Sequence, residues 1–416
     1  MRLRKLDPIP VYLMMAAVEG AGFASFSVMS SVYRIKEAEL NPLELILVGT
    51  VLEAAVFLFE IPTGVVADVF SRRLSLIIGF ALIGAGIMLE GALPIFGTIL
   101  LAQAVWGIGY TFTSGARQAW LADELGDGGR VGDVFLRGSQ IQSAGSLVGI
   151  ALGVALATVF IALPLLVGGA VLLLLAVALV FVMPERGFTP TPREERQTWH
   201  SMRATFGSGV TAVRMHHVLI AIIAIELFDG ASTEPWDRLW AKHMLDSFVF
   251  PSIGSLDPVV WFGIIQAAGL TFGIGATWLI RRTVDVDSAG VPLRLLSAAN
   301  GLIMAAAVVF ALSGSFALSV SMVLFTSLIR QVVEPVVDAW LNQMVESRHR
   351  ATVFSLHGQA NAFGQVAFGP VMGGIATLTS VRAALIGVAV LLVPSQGIYA
   401  WLGLRSSSED GAEEQK

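Results

Sequence analysis

The chain contains no cysteine among its 416 residues and only six histidines. Disulfide bonds, thiolate zinc sites, iron–sulfur clusters and cysteine nucleophiles are therefore excluded. The sequence also contains no phosphate-binding loop, no catalytic triad and no group of metal-ligating residues at a familiar spacing. We therefore expect neither an enzyme nor a protein with a resident metal or cofactor.

Charged residues are also scarce, because Asp, Glu, Lys and Arg make up 14% of the chain whereas hydrophobic residues make up 55%. A soluble domain carries about 25% charged residues. So few charges cannot cover the surface of a water-soluble protein of this length, and a lipid bilayer is the natural solvent for it. The net charge of -5 is small and gives no argument for binding to nucleic acid.

Long apolar runs, by contrast, are abundant. A hydrocarbon core of about 30 Å is crossed by about 20 apolar residues in helical conformation. Runs of this length predict an all-α membrane protein with twelve transmembrane helices, here called spans 1 to 12. They lie at residues 9–33, 43–69, 74–93, 96–122, 134–158, 161–183, 217–239, 259–281, 294–314, 316–342, 352–377 and 381–403.

Lysine and arginine are distributed unevenly among the connections between the spans. Most of them lie at the N-terminus, in alternate short connections and in the polar stretch after span 6. The positive-inside rule predicts that this set is cytoplasmic, with both termini inside. We therefore expect a multi-pass protein of a bacterial inner membrane. Its predicted parts are a six-helix bundle at 1–183, a cytoplasmic linker at 184–216, a second bundle at 217–403 and a disordered tail at 404–416.

An internal repeat supports two related bundles, because residues of spans 4 and 5 recur in spans 10 and 11 at an offset of about 220 residues. Their shared order and spacing indicate duplication. Transporters built from two related halves bind their substrate near the bilayer midplane. The matched residues are Ala119-Trp120-Leu121 with Ala339-Trp340-Leu341, Val134-Phe135 with Val353-Phe354, Gln140 with Gln359, and Gly145 with Gly364.

The connection between spans 2 and 3 reads Gly64-Val-Val-Ala-Asp68-Val-Phe-Ser-Arg72-Arg73. It resembles the signature G-x-L-A-D-R-x-G-R-R of the major facilitator superfamily, at the same place in the chain. A carboxylate at a helix C-terminus is unfavourable unless a cation pairs with it, and Arg72 and Arg73 are suited to this. The resemblance implies a conformational latch, to which we add Glu60. Plain positive-inside charge is the alternative for the two arginines.

Two further strings point to a subgroup of this superfamily. Glu60-Ile-Pro-Thr-Gly64 is similar to a string in prokaryotic twelve-helix drug:proton exporters. The motif G-P-x-x-G-G, typical of antiporters in span 5, appears instead in span 11, where small residues for tight helix packing are an equal alternative. The residues of this motif are Gly369, Pro370, Gly373 and Gly374. Two departures from the first signature, Val69 and Ser71, predict a weaker or differently wired latch.

Charged residues at bilayer depth cost about 2.5–3.5 kcal/mol each to insert, so each is a functional candidate. Acids outnumber bases in the spans, and some carboxylates are therefore expected to lack a cationic partner and to exchange protons as the site dries and wets. The candidates for proton coupling are, in order of preference, Glu19, Glu53, Glu226 and Asp229. The candidates for contact with substrate, on spans that line the cavity in this superfamily, are Arg117, Arg330, Glu334 and Asp338.

Some of these charges have a structural alternative. Arg330 and Glu334 are spaced i, i+4 on span 10, so they are expected to pair, either as structural glue or within a site. Glu60 is expected to have a structural or gating role with Arg117 as its partner. Glu90 lies near the outer end of span 3 and is expected to be solvated.

Taken together, these features predict a secondary transporter that exports small apolar or cationic compounds in exchange for protons. A proton-coupled importer or a facilitator for a small nutrient is the alternative, and a membrane sensor that transports nothing is a remote one. The expected partners are the substrate, protons and lipid, and the expected state is a monomer.

Overall fold

In the computed structural model, residues 6–126, 131–189, 216–253, 259–283, 291–345 and 350–413 are described. This part of the chain is built of fourteen α-helices, which form twelve spans because two spans are interrupted. The all-α prediction with twelve spans is confirmed. The helices are α1 (Pro8–Lys36), α2 (Pro42–Val69), α3 (Arg72–Ala92), α4 (Phe96–Thr113), α5 (Ala116–Leu125), α6 (Val131–Ala157), α7 (Leu163–Val182), α8 (His217–Ser247), α9 (Val260–Thr283), α10 (Val291–Leu312), α11 (Phe316–Met344), α12 (Arg350–Leu378), α13 (Val381–Leu391) and α14 (Val393–Glu413).

Local sequence determines where several helices begin. Helix α2 starts with a capping box, in which the Asn41 side chain accepts from the Glu44 amide at 3.0 Å and the Glu44 carboxylate accepts from the Asn41 amide at 2.9 Å. Pro42 occupies the first helical position, where its missing N–H costs nothing. Serine hydroxyls cap α3, α11 and α13 in the same way.

Span 4 was predicted as one helix, and this is wrong. It consists of α4 and α5, separated by Ser114 and Gly115, and Gly115 has a φ of 68°. Glycine adopts this left-handed conformation without the steric cost that a side chain adds. Helix α5 restarts at Ala116, so the break sets the direction of Arg117.

Span 12 is also interrupted, between α13 and α14 at Leu392. The Asn300 amide donates to the Leu392 carbonyl at 3.3 Å, which also accepts from the Gln396 backbone amide at 3.1 Å, and to Gln396 Oε1 at 2.8 Å. Asn300 of α10 therefore links that helix to the interruption of span 12. Helix α14 then continues to Glu413, into the stretch that was predicted to be a polar tail, because extending an existing helix is cheaper than starting one.

Nine spans in the described part of the chain are long and apolar enough to cross a bilayer. Among the described helices, α8 and α12 fall outside that set, and so does span 4. Helices α8 and α12 carry polar residues in their interiors and pack closely against each other. These helices therefore bury polar side chains within the protein, where hydrogen bonds and ion pairs can satisfy them.

The described residues divide into two compact units. Unit 1 is drawn from Met1–Gln197 and Pro251–Ala267, and unit 2 from Thr198–Phe250 and Ala268–Lys416. Most of the predicted linker, residues 190–215, lies outside the described residues, as do residues 414–416 of the predicted tail. The division into domains at the predicted boundaries stays a prediction.

Glycines allow the first helix of each unit to approach its main partner closely. In unit 1, Gly149 of α6 lies against the backbone of Ala21 in α1, and a Cβ there would collide with it. In unit 2, Gly364 of α12 lies in the same way against the Leu227 carbonyl of α8. Small residues at such positions let backbones meet in a membrane, where packing replaces the hydrophobic effect as the main attraction.

The substitution Gly149→Val is expected to destabilise the protein by about 1–3 kcal/mol or more, since the new side chain must push α1 and α6 apart. The measurement is the thermal unfolding temperature in detergent. Gly132→Ala is the matched control on the same helix, because a Cβ at Gly132 has open space around it. Equal unfolding temperatures for Gly149→Val and the control would contradict this close packing.

Candidate functional site

Glu19 of α1 forms an ion pair with Arg117, the second residue of α5. Their side chains are 17% and 18% exposed, and the Arg117 guanidinium lies 5.9 Å from the centre of the Tyr12 ring. The expectation that Glu19 lacks a cationic partner is therefore wrong. The partner is 98 residues away in the chain, so only the three-dimensional structure brings the two charges together.

Glu60 of α2 bonds to the other side of the same helix break. The Ser114 hydroxyl donates to Glu60 Oε1 at 2.9 Å, whereas Oε2 is buried without a hydrogen-bond partner among the described residues. The predicted pairing of Glu60 with Arg117 is wrong, because Glu19 takes that arginine. Glu60 therefore contacts span 4 at the residue where that span is interrupted.

Tyr110, one turn before the break, lies near most of these charges. Its side chain is exposed, and Glu60, Glu53 and Glu19 act on it electrostatically, as does Arg117. Three predicted carboxylates and one arginine of unit 1 therefore act electrostatically on one exposed tyrosine. Tyr110 was not a predicted site residue, although its position on span 4 was a usable signal.

At the predicted outer end of unit 1, Glu90 is buried and strongly bonded, so the expectation that it is solvated is wrong. Arg34 contacts both of its carboxylate oxygens, at 2.7 and 3.1 Å, and Gln103 donates to it at 2.6 Å. The Tyr33 hydroxyl donates to the Glu90 carbonyl at 2.6 Å. This cluster joins α1, α3 and α4 through a two-pronged charge-assisted contact.

In unit 2, Glu226 of α8 is held by two side chains of α12. His357 Nε2 lies 2.9 Å from Glu226 Oε2, and the Asn361 amide donates to Oε1 at 2.6 Å. Gln365 donates to Asn361 Oδ1 at 2.7 Å and so fixes its amide. His357, Asn361 and Gln365 follow one another at four-residue intervals, which places them on one face of α12.

Arg330 of α11 pairs with Asp237 of α8 at 3.0 Å. The predicted pairing with Glu334 is therefore wrong, because a long arginine side chain can reach a neighbouring helix as well as its own next turn. Glu334 and Asp338 are exposed in the structure. Arg330 also acts electrostatically on Asp229, and Asp338 on His357.

Equivalent backbone contacts within each unit show which residues of the two units correspond to each other. Gly20 of α1 lies against the Gln142 carbonyl of α6, and Gly230 of α8 lies against the Asn361 carbonyl of α12. Glu19 and Asp229 each come immediately before the glycine, so they occupy equivalent positions. Each is near an arginine from the interrupted span 4 or from its repeat equivalent, span 10.

The connection between α2 and α3 forms a charged cluster with the start of the linker. Arg72 pairs with Asp123 of α5, donates to the Ala119 carbonyl at 2.9 Å and lies 3.5 Å from the more exposed Asp68. Asp123 was missed in the sequence, because nothing local marks it as a partner of Arg72. A Cβ on Gly64 would meet nothing within 4 Å, so this glycine of the signature makes no close helix contact in the described structure.

Ser71, which replaces a glycine of the signature, has a structural role of its own. Its hydroxyl accepts from the Leu74 amide at 2.9 Å and contacts the Glu185 carboxylate at 2.7 Å. Glu185 also accepts from the Arg73 amide at 2.9 Å. The departure from the signature therefore ties the start of α3 to the segment after α7.

The second signature lies within α12, which continues through Pro370. A Cβ on Gly374 would have open space around it, so the described structure shows no tight packing at that glycine. The role of Gly369 and Gly373 stays a prediction. Within the described residues, no group of three or more His, Asp or Glu side chains is arranged to hold a metal ion.

A sequence profile of the Major Facilitator Superfamily matches residues 12–329 of the chain. The chain belongs to this superfamily. It is also 24% identical, over 92% of its length and 93% of the relative, to YxaM of Bacillus subtilis (strain 168), an uncharacterised MFS-type transporter. It is therefore a multi-pass membrane transporter, which confirms the predicted family and transport of a small molecule.

Solved structures of other transporters share the major facilitator fold. The chain resembles the nucleoside transporter NupG with a TM-score of 0.76 and 14% identity, covering 95% of this chain and 99% of the other. A bacterial homologue of the human lysosomal transporter Spinster has a TM-score of 0.73 and 13% identity, covering 95% of this chain and 97% of the other. The peptide transporter POT has a TM-score of 0.73 and 14% identity, covering 96% of this chain and 94% of the other. At these identities the likeness shows the fold alone.

The signature cluster of this major facilitator protein leads to a specific prediction. Asp123→Asn is expected to lower the initial transport rate about three- to tenfold, at unchanged membrane levels, and at least as much as Asp68→Asn. The reason is that Asp123 is the closer and less exposed partner of Arg72. The measurement is transport by proteoliposomes with equal amounts of protein.

Glu37→Gln serves as the control, since Glu37 is an exposed acid at the C-terminal end of α1 and lies outside the Arg72 cluster. A wild-type rate for Asp123→Asn would show that the Arg72–Asp123 pair has no part in transport.

Proposed function

We propose that this transporter exports small cationic or apolar organic molecules in exchange for protons. One observation carries the proposal, namely that three carboxylates and one arginine of unit 1 act electrostatically on the exposed Tyr110. An excess of acids over bases favours a positively charged occupant. The face of an aromatic ring adds a cation–π attraction for organic cations.

The Glu19–Arg117 pair supplies a chemical basis for exchange. A proton that binds Glu19 neutralises the carboxylate and releases Arg117 from it. An organic cation also competes with Arg117 for the same carboxylate. The single negative charge of Glu19 can be neutralised either by a proton or by a cation. Binding of one therefore favours release of the other, as antiport requires.

The proposed direction of transport comes from the sequence. The Glu60-Ile-Pro-Thr-Gly64 string is similar to exporters, and protons that enter down their gradient would drive a cation outwards. Uptake of a nutrient is the second candidate, because carriers named for nucleosides and peptides have the same fold. The bacterial inner membrane, termini in the cytoplasm and a monomeric state complete the proposal.

The test uses purified protein in proteoliposomes, with a panel of fluorescent lipophilic cations that includes ethidium. A pH gradient is imposed in either direction. We expect the wild type to concentrate at least one of these cations against movement of protons. Glu19→Gln is expected to reduce this uphill transport at least about tenfold, since the amide imitates the protonated acid and cannot release a proton.

Glu19→Asp keeps the acid on a shorter side chain and is expected to retain part of the coupling, and Glu37→Gln is the control. Three results would contradict the proposal. Failure to move any cation of the panel rejects the substrate class, and accumulation in the same direction as protons rejects export. Full uphill transport by Glu19→Gln rejects the role of Glu19.

A further inference from the structure

The Glu226–His357 pair has no counterpart in unit 1. In the alignment set by Gly20 and Gly230, the residue equivalent to Glu226 is Ala16. The residue equivalent to His357 is Gly138, whose missing side chain makes room for the Tyr12 ring. At the same two positions, the corresponding helix pair of unit 1 therefore has small, uncharged residues. The charges of unit 2 are not needed to form this helix pair.

The carboxylate of Glu226 is fixed so that one oxygen faces the imidazole. Asn361 donates to Oε1 at 2.6 Å and is itself fixed by Gln365 at 2.7 Å. Oε2 is thereby directed towards His357 Nε2, 2.9 Å away. Two amides that orient a carboxylate towards a histidine form a preorganised arrangement, since each group is held before any proton arrives.

The charges around the imidazole are mostly negative. Asp229 lies one turn further along α8, Asp338 comes from α11, and both act on His357 together with Glu226. The opposing cation is Arg330, which acts on Asp229 and pairs with Asp237. Tyr399 of α14 adds a neutral hydroxyl near Asp229 and Glu226. An imidazolium at this place would therefore be balanced by carboxylates from two helices.

The two side chains are partly exposed, although His357 Nε2 itself is buried. Glu226 and His357 are 16% and 15% exposed, unlike the fully enclosed Arg34–Glu90 pair at 3% and 2%. The Arg34–Glu90 pair is shielded from water, whereas a group that takes up and releases protons needs contact with water. A histidine changes its charge near neutral pH more readily than other side chains.

We infer that Glu226 and His357 form a second proton-binding site, separate from Glu19, with Asn361 and Gln365 as positioning residues. The inference rests on the proposed function. One proton from the side of entry binds the imidazole and adds one positive charge beside Glu226. The same proton leaves to the other side later in the cycle and restores the neutral ring. Together with the proton of Glu19, two protons then enter for each monovalent cation that leaves.

The first test needs no transported compound, because its probe is the proton itself. The full-length protein is labelled with 15N-histidine, and the ring signals are followed by NMR between about pH 5 and 9. The His357 signals are identified by their loss in His357→Gln. We expect them to titrate in the wild type, and we expect Glu226→Gln to move their midpoint by about one pH unit or more.

His243→Gln is the control, because His243 of α8 is a buried histidine that lies against Phe310 and Ser247. It should leave the His357 signals unchanged. His357 signals that stay constant over this range, or that titrate identically with and without the Glu226 carboxylate, would overturn the inference.

The second test counts protons. With the membrane potential held at zero, the logarithm of the cation gradient at balance is plotted against the imposed pH difference. Mass action predicts a slope of about two for the wild type and for His243→Gln, and about one for His357→Gln and Glu226→Gln. A wild-type slope of about one overturns the second site and leaves the proposed exporter intact. If no cation responds to pH, the proposed function fails, and the NMR titration still decides whether the pair shares a proton.

Discussion

A charge inside a bilayer must find its counter-charge within the protein, because lipid offers neither water nor ions. The structure meets this constraint by joining helices that are distant in sequence. Arg34 and Glu90 join α1 to α3, Glu19 and Arg117 join α1 to α5, and Arg330 joins α11 to α8 through Asp237. Each of these pairs lies within one unit, so each unit balances these charges by itself.

Backbone geometry determines which pairs are possible. The glycine contacts bring α1 against α6 and α8 against α12, and the break at Gly115 turns the start of α5 so that Arg117 reaches Glu19. The same break exposes Ser114 to Glu60. Departures from regular helix in membranes are tolerated only where other groups satisfy the freed backbone and side chains, and here they coincide with the candidate site.

The two units use one scaffold for different chemistry. Glu19 and Asp229 share a position, which indicates that an acid at this turn belongs to the common plan. The histidine and its carboxylate partner occur in unit 2, whereas unit 1 has a glycine and an alanine at the two aligned positions. Such differences between duplicated halves separate what the fold requires from what the individual transporter adds.

Much of the fold could be predicted from the sequence, because apolar runs of about 20 residues determine the spans directly. The partners of the buried charges could not. Arg330 was assigned to Glu334 because that spacing is local, whereas its partner Asp237 is on another helix. Glu90 was expected to be solvated from its place near a helix end, although three helices enclose it. Sequence reveals which residues need a partner, and only packing determines which partner each one has.

Pairing of buried charge across helices is tested most directly by a double-mutant cycle on the Glu19–Arg117 pair. The free energy of unfolding would be measured for the wild type, Glu19→Gln, Arg117→Gln and the double variant in the same detergent. Each single variant leaves a charge without its partner, whereas the double variant removes both charges. We predict a coupling energy of about 1.5–3 kcal/mol, with the double variant more stable than the sum of the single effects implies. Single effects that add to the double effect within about 0.5 kcal/mol would contradict the account.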